Sequence, residues 1–137
     1  MGAAHVQITM DCADPGELAS FWSAALRYSV EFDDPTNAWA AVVDPDRHGP
    51  RVVFQRVREP KMTKARAHLD LQVGQEALAA ELHRITGLGA RVLRNLVLDA
   101  KTQAFADSDN LEDTSRAAWR RFILADPEDN EFCLRGR

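Results

Sequence analysis

The apolar positions of the chain fall into strand-like and helix-like patterns, and the same succession of them occurs twice. Val6 to Val30 (VQITMDCADPGELASFWSAALRYSV) reads as strand, turn, helix, strand, and Ala67 to Val92 (AHLDLQVGQEALAAELHRITGLGARV) reads the same way. Gln7 falls opposite His68 at an offset of 61 residues, and Leu18, Trp22 and Ala25 fall opposite Leu78, Leu82 and Ile85 at an offset of 60. Such self-similarity constrains the topology before any single element is trusted. In the first helix Asp14 stands where a cap belongs, Pro15 suits the first helical position, and Glu17 takes the acidic place of a capping box. Leu18, Phe21, Trp22, Ala25 and Leu26 follow at helical spacing, which predicts one buried face. The second helix is expected to end at Gly87 or Gly89.

An antiparallel meander should follow each helix. In the first half it runs through Tyr28 to Phe32, Trp39 to Val43 and Arg51 to Val57, with turns at Asp44-Pro45-Asp46 and Gly49-Pro50. In the second half the matching turn is Asp126-Pro127-Glu128, between Phe122 to Leu124 and Glu131 to Leu134. The two Asp-Pro turns stand 82 residues apart, so the second half carries about 21 extra residues. The strand rhythm breaks at about 96–117, which is read as an insertion: a short strand or helix over Leu96 to Phe105, then an acidic loop over Asp107 to Thr114. A long polar insertion of this kind should be mobile and border the mouth of any cavity. The expected fold is α+β, one domain over residues 1–137 made of two βαβββ modules, the first about 1–60 and the second about 66–137, joined by VREPKMTKARAH.

Charge and composition narrow the function. With 17 Lys plus Arg against 21 Asp plus Glu, the net charge of -4 offers no footprint for a phosphate backbone, so no nucleic-acid partner is expected. The apolar runs are too short to cross a bilayer and the N-terminus lacks a basic segment followed by an apolar core, which predicts a cytoplasmic protein without a membrane partner. Two cysteines, Cys12 and Cys133, make no disulfide framework and are expected to be reduced. Gly-rich phosphate loops, a G-x-S-x-G elbow, C-x-x-C and H-E-x-x-H are all absent.

The doubled strand-helix-strand pattern, with an Asp-Pro turn before each last strand, resembles the vicinal oxygen chelate superfamily, which includes glyoxalase I, extradiol dioxygenases, and fosfomycin- and bleomycin-resistance proteins. DCADPGELASFW, DPDRHGPRVVFQRVREPK, HLDLQV and ADPEDNEFCL are similar, more narrowly, to the glyoxalase-like domain common in actinobacteria. The resemblance implies a pseudo-twofold arrangement of the modules around an open, barrel-like cavity. It also implies homodimers, because members of the superfamily join halves across chains and open sheets expose edges.

In the metal-dependent members a divalent ion is held by inward residues of the first and last strands of each half. Carried over, the first-strand positions are Gln7, seven residues before Asp14, and His68. The last-strand positions are Cys133, seven residues after Asp126, and Val53 once Arg47 and His48 are treated as extra turn residues. His68 is a conventional ligand. Gln7 offers a weak amide oxygen, Cys133 a thiolate suited to softer ions, and Val53 nothing. By strand alternation His5 and Thr9 share a face with Gln7, Asp70 with His68, and Glu131 with Cys133. His5, His68 and Glu131 form an alternative metal trio if the ion sits one step along the strands. The cavity set is Gln7, Thr9, Val53, Gln55, His68, Asp70, Glu131 and Cys133. Asp11 and Asp70 are candidate general bases, although no catalytic residue is assigned.

Plainer roles stand beside these: His68 as a sheet histidine with a satisfied hydrogen bond, Cys133 as a small buried hydrophobe, Glu131 as a turn exit, Phe21 and Trp22 as core, and His48 and His83 as exposed residues. Two functions compete. The first is small-molecule binding in the cavity, as in bleomycin-resistance proteins, with no ion held stoichiometrically. The other is a metal-dependent lyase, isomerase or dioxygenase of the glyoxalase or extradiol type, in which an ion polarises adjacent substrate oxygens.

Overall fold

The structure, a computed structural model, describes residues 2, 5–98, 105–108 and 119–136, with the side chains of 32, 33 and 105 left aside. The chain divides into two compact units, Met1–Thr63 and Lys64–Arg137. In the first, strand β1 (Gln7–Cys12) leads into helix α1 (Pro15–Leu26), and strands β2 (Ser29–Asp33), β3 (Trp39–Val43) and β4 (Arg51–Arg56) follow. They form one mixed sheet in the order β1-β4-β3-β2, with β1 parallel to β4 and the other pairs antiparallel.

Helix α1 starts as the sequence predicts: the Asp14 carboxylate accepts the Glu17 N–H at 3.1 Å and Pro15 opens the helix. It ends at Arg27, whose φ of 57° breaks the helical run. Leu18, Phe21, Trp22 and Ala25 are buried, and the Phe21 and Trp22 rings meet edge to face at 5.2 Å. They pack on β3 and β4, where Ala40, Val42, Val52 and Phe54 are fully shielded. This apolar layer forces polar side chains of the alternate positions onto the opposite, open face.

The second unit repeats the plan. Strand β5 (Asp70–Val73), a 3-10 turn (Gln75–Ala77) and helix α2 (Leu78–Gly87) precede β6 (Arg91–Leu98), β7 (Phe105–Asp107), β8 (Arg120–Ala125) and β9 (Glu131–Gly136). The sheet order is β5-β9-β8-β6-β7, with β5 parallel to β9. Leu78, Ile85, Phe122, Leu124, Phe132 and Leu134 are buried on the α2 side, and Gly89, at φ 115°, turns the chain into β6.

One expected boundary needs correction. The insertion does not begin at Leu96, because Leu96 to Leu98 complete β6, with Leu96 opposite Arg121 and Val97 opposite Arg120. Leu96 is 6% exposed, and burying that side chain outweighs the break in sequence rhythm. Residues 105–107 then pair with β6 as β7, an edge strand added to the βαβββ plan. The rest of the expected insertion, 99–104 and 109–117, lies outside the described residues, as does most of the expected mobile region. No helix among the described residues is long and apolar enough to cross a membrane.

Candidate functional site on the open sheet faces

Strand register assigns the cavity residues to open faces within each unit. In the first sheet Gln7 lies beside Arg51, Thr9 beside Val53 and Asp11 beside Gln55, on the side away from α1. Gln7, Thr9, Asp11 and Gln55 are exposed, whereas Val53 is buried. The Arg51 Nη1 donates to Gln7 Oε1 at 2.7 Å, and its Nε pairs with Glu31. His5, just before β1, is exposed and lines a concavity of about 660 Å³ with Gln7, His48 and Arg51.

In the second sheet Asp70 lies beside Cys133, and Cys133 beside Ile123, again on the side away from the helix. Cys133 is buried while its neighbours Phe132 and Leu134 face α2, as strand alternation requires. Glu131, half-buried two residues earlier, accepts the Ala65 N–H at 3.2 Å. His68 is exposed and precedes β5 by two residues, so it is not the sheet histidine with a buried hydrogen bond that one reading expected. The chain leaves the parallel ladder there: Cys133 N–H reaches Leu69 O at 2.9 Å, the last rung before His68.

The two Asp-Pro turns set both last strands. Asp44 Oδ1 accepts the Asp46 N–H at 2.9 Å, and Oδ2 accepts those of Gly49 at 2.8 Å and His48 at 3.0 Å. Asp126 Oδ1 accepts from Glu128 N at 2.9 Å and Asn130 N at 3.0 Å. The third residue after each Asp is left-handed, Arg47 at φ 57° and Asp129 at φ 64°. Arg47 therefore has a counterpart. The two additional residues of the first turn fall among His48 to Pro50, a correction that leaves Val53 and Cys133 equivalent, each two residues into its strand.

A divalent ion does not suit this donor set. Val53 has no donor atom. Gln7 Oε1 and Cys133 Sγ each already accept from a guanidinium, Arg51 in one unit and Arg121 Nη2 at 3.2 Å in the other. A fixed positive charge aimed at a ligand atom repels a second cation and takes up one of that atom's lone pairs. Among the described residues no group of three or more His, Cys, Asp or Glu side chains is gathered closely enough to hold a metal.

Sequence reasoning passed over Arg51, Arg121 and Arg135. Alternation could have revealed them, since Arg121 and Arg135 stand two residues from Ile123 and Cys133 on their strands. A groove of about 870 Å³ lies elsewhere in the second unit, on the α2 side, lined by Leu78, Leu82, Thr86, Val92 and Phe122. It includes none of the expected site residues.

The profile of the family described as Glyoxalase-like domain matches residues 7–135. No curated protein matches the chain. Among solved structures, a variant of the fosfomycin resistance protein FosX from Listeria monocytogenes, in complex with Mn(II) and 1S,2S-dihydroxypropylphosphonic acid, is 13% identical over 100% of this chain and 93% of that one, with a TM-score of 0.68. A glyoxalase/bleomycin resistance protein/dioxygenase family enzyme from Burkholderia phytofirmans is 13% identical over 95% of each chain, with a TM-score of 0.65. FosX from Mesorhizobium loti is 10% identical over 100% of this chain and 94% of that one, with a TM-score of 0.67. At these identities the likeness is one of fold.

Proposed function

The chain belongs to the glyoxalase-like domain family, and from that premise we propose that it binds a small organic molecule without a divalent ion resident at the family's four ligand positions. The binding surface is the open face of the second sheet around His68, Asp70, Glu131 and Cys133, with Gln7, Thr9, Val53 and Gln55 forming the equivalent face of the first. One observation carries this reading: at Gln7 and at Cys133 the atom that would bind the ion accepts instead from an arginine. The alternative is a metal-dependent lyase, isomerase or dioxygenase. It draws on the Mn(II) in the FosX complex and on His68, an exposed imidazole of a type that ligates divalent ions.

Elemental analysis after incubation with Mn(II), Fe(II) or Ni(II) and desalting separates the two. The expected result is far less than one equivalent of metal. Replacing His68 by Ala should leave the melting temperature nearly unchanged, because an exposed imidazole packs against little. Stoichiometric metal that disappears in His68→Ala would establish the alternative. A homodimer in the cytoplasm completes the proposal, supported by family habit and by the open sheet edges.

A further inference from the structure

We propose that the open face of the second sheet holds an oxyanion, the carboxylate or phosphonate group of a small organic ligand, against the guanidinium groups of Arg121 and Arg135. The inference rests on the small-molecule reading and names the charge of its ligand. Arg121 on β8 and Arg135 on β9 are register partners, so two positive side chains rise directly opposite one another on one face. Like charges in that position destabilise a sheet unless something neutralises them.

The described residues supply only part of that neutralisation. Arg135 Nε lies 3.0 Å from Asp70 Oδ2, an ion pair by distance whose N–H is not aimed at the oxygen. Arg121 directs Nη2 to the sulfur of Cys133, a weak acceptor. The Nε atoms of both arginines are shielded from solvent and meet no hydrogen-bond acceptor among the described residues. Glu131 sits four residues along β9 from Arg135, roughly 13 Å away at strand rise, and already accepts from Ala65.

Arg94, on the same sheet, shows the contrasting case. Its Nε and Nη2 donate to the two oxygens of Asp107 at 3.0 and 3.1 Å, a two-pronged pair that satisfies one edge of the guanidinium. Arg121 has the same fork and, among the described residues, no such carboxylate. A ligand oxyanion would neutralise Arg121 as Asp107 neutralises Arg94, and Arg135 stands directly opposite to share its charge. Half-buried Ile123 beside Cys133 provides an apolar surface for the organic part, and exposed Gln72 beside Arg135 adds an amide. The site thus reverses the family's arrangement: cationic side chains face an anionic ligand where carboxylates would face a metal.

Calorimetric titration of the full chain with benzoate, phenylphosphonate and neutral benzamide tests the idea. At least one anion should bind roughly tenfold or more tightly than benzamide, and the tighter anion identifies the headgroup. Arg121→Gln should weaken that anion by roughly tenfold or more, the value of a lost charged hydrogen-bond pair. Arg94→Gln should leave it unchanged. Arg121→Leu should melt no lower than the parent, because it removes a repelled cation with an unsatisfied donor, whereas a structural role predicts a lower melting temperature. Should Arg121→Gln fail to fold, Arg121→Lys keeps the charge without the fork and should still lose several-fold in affinity. Benzamide binding as tightly as both anions, or anion affinity indifferent to Arg121, overturns the oxyanion site and leaves small-molecule binding standing. Failure of all three probes to bind counts against both.

Discussion

Asp44 and Asp126 perform one task in two places: each carboxylate gathers the backbone N–H groups of its own turn and so aims the strand that follows. Asp126 does so while 1% exposed, with Asn130 Nδ2 donating to its Oδ2 at 2.9 Å. Gly49 belongs to the same construction, since a Cβ there would run into the Tyr28 hydroxyl. In Asp44 the N–H of Asp46, then those of Gly49 and His48, hold the carboxyl below the ordinary value of 3.8. A carboxyl depressed by folding contributes stability that is present above that value and lost as pH falls through its folded pKa. Thermal melts should therefore fall off below about pH 4, and Asp44→Asn should melt lower at neutral pH with a shallower acid limb. An unchanged acid limb in that variant would mean that the turn is held by something else. These Asp-Pro pairs were legible in the sequence because the turn is made from its own neighbours. The pairings of the open-face arginines were not, because alternation gives their face but not partners such as Cys133, 12 residues from Arg121.

Helix α1 was readable almost to the residue for the same reason of locality: Asp14, Pro15 and the spacing of Leu18, Trp22 and Ala25 all act within a few residues of one another. What seals its start is not local. Asn37, in the β2-β3 turn at φ 54°, accepts the Gly16 N–H at 2.8 Å and donates to Asp14 Oδ1 at 2.9 Å. Its donation is the main reason that the Asp14 carboxyl lies below its ordinary range. Asn37→Ala should cost about 1 kcal/mol, the usual scale for a lost cap or hydrogen bond, read as a lower urea midpoint with an unchanged slope. A midpoint equal to the parent's would show that water replaces the amide without cost. Strand β6 shows the limit of local pattern in the other direction, since its last turn of sequence looked irregular until β8 and β7 paired on either side.

The whole chain carries one plan twice, and each copy leaves sheet edges: β1 and β2 in the first, β5 and β7 in the second. Val30 on β2 is 49% exposed, and Leu93 and Trp119 in the second unit are 45% and 50% exposed. Such edges and apolar side chains support the proposed homodimer. Light scattering at micromolar concentration should give twice the 15.3 kDa chain mass, and a monomer at that concentration would refute it. By itself the sequence determined the two strand-helix-strand modules, the start of α1 and the Asp-Pro turns, because periodicity and turn chemistry act between near neighbours. Only tertiary structure decided that β6 runs on to Leu98, that Asn37 closes α1, and that Arg51 and Arg121 face Gln7 and Cys133. Those pairings join residues 12 to 44 positions apart, and the charge a sheet presents to a ligand depends on which strands become neighbours.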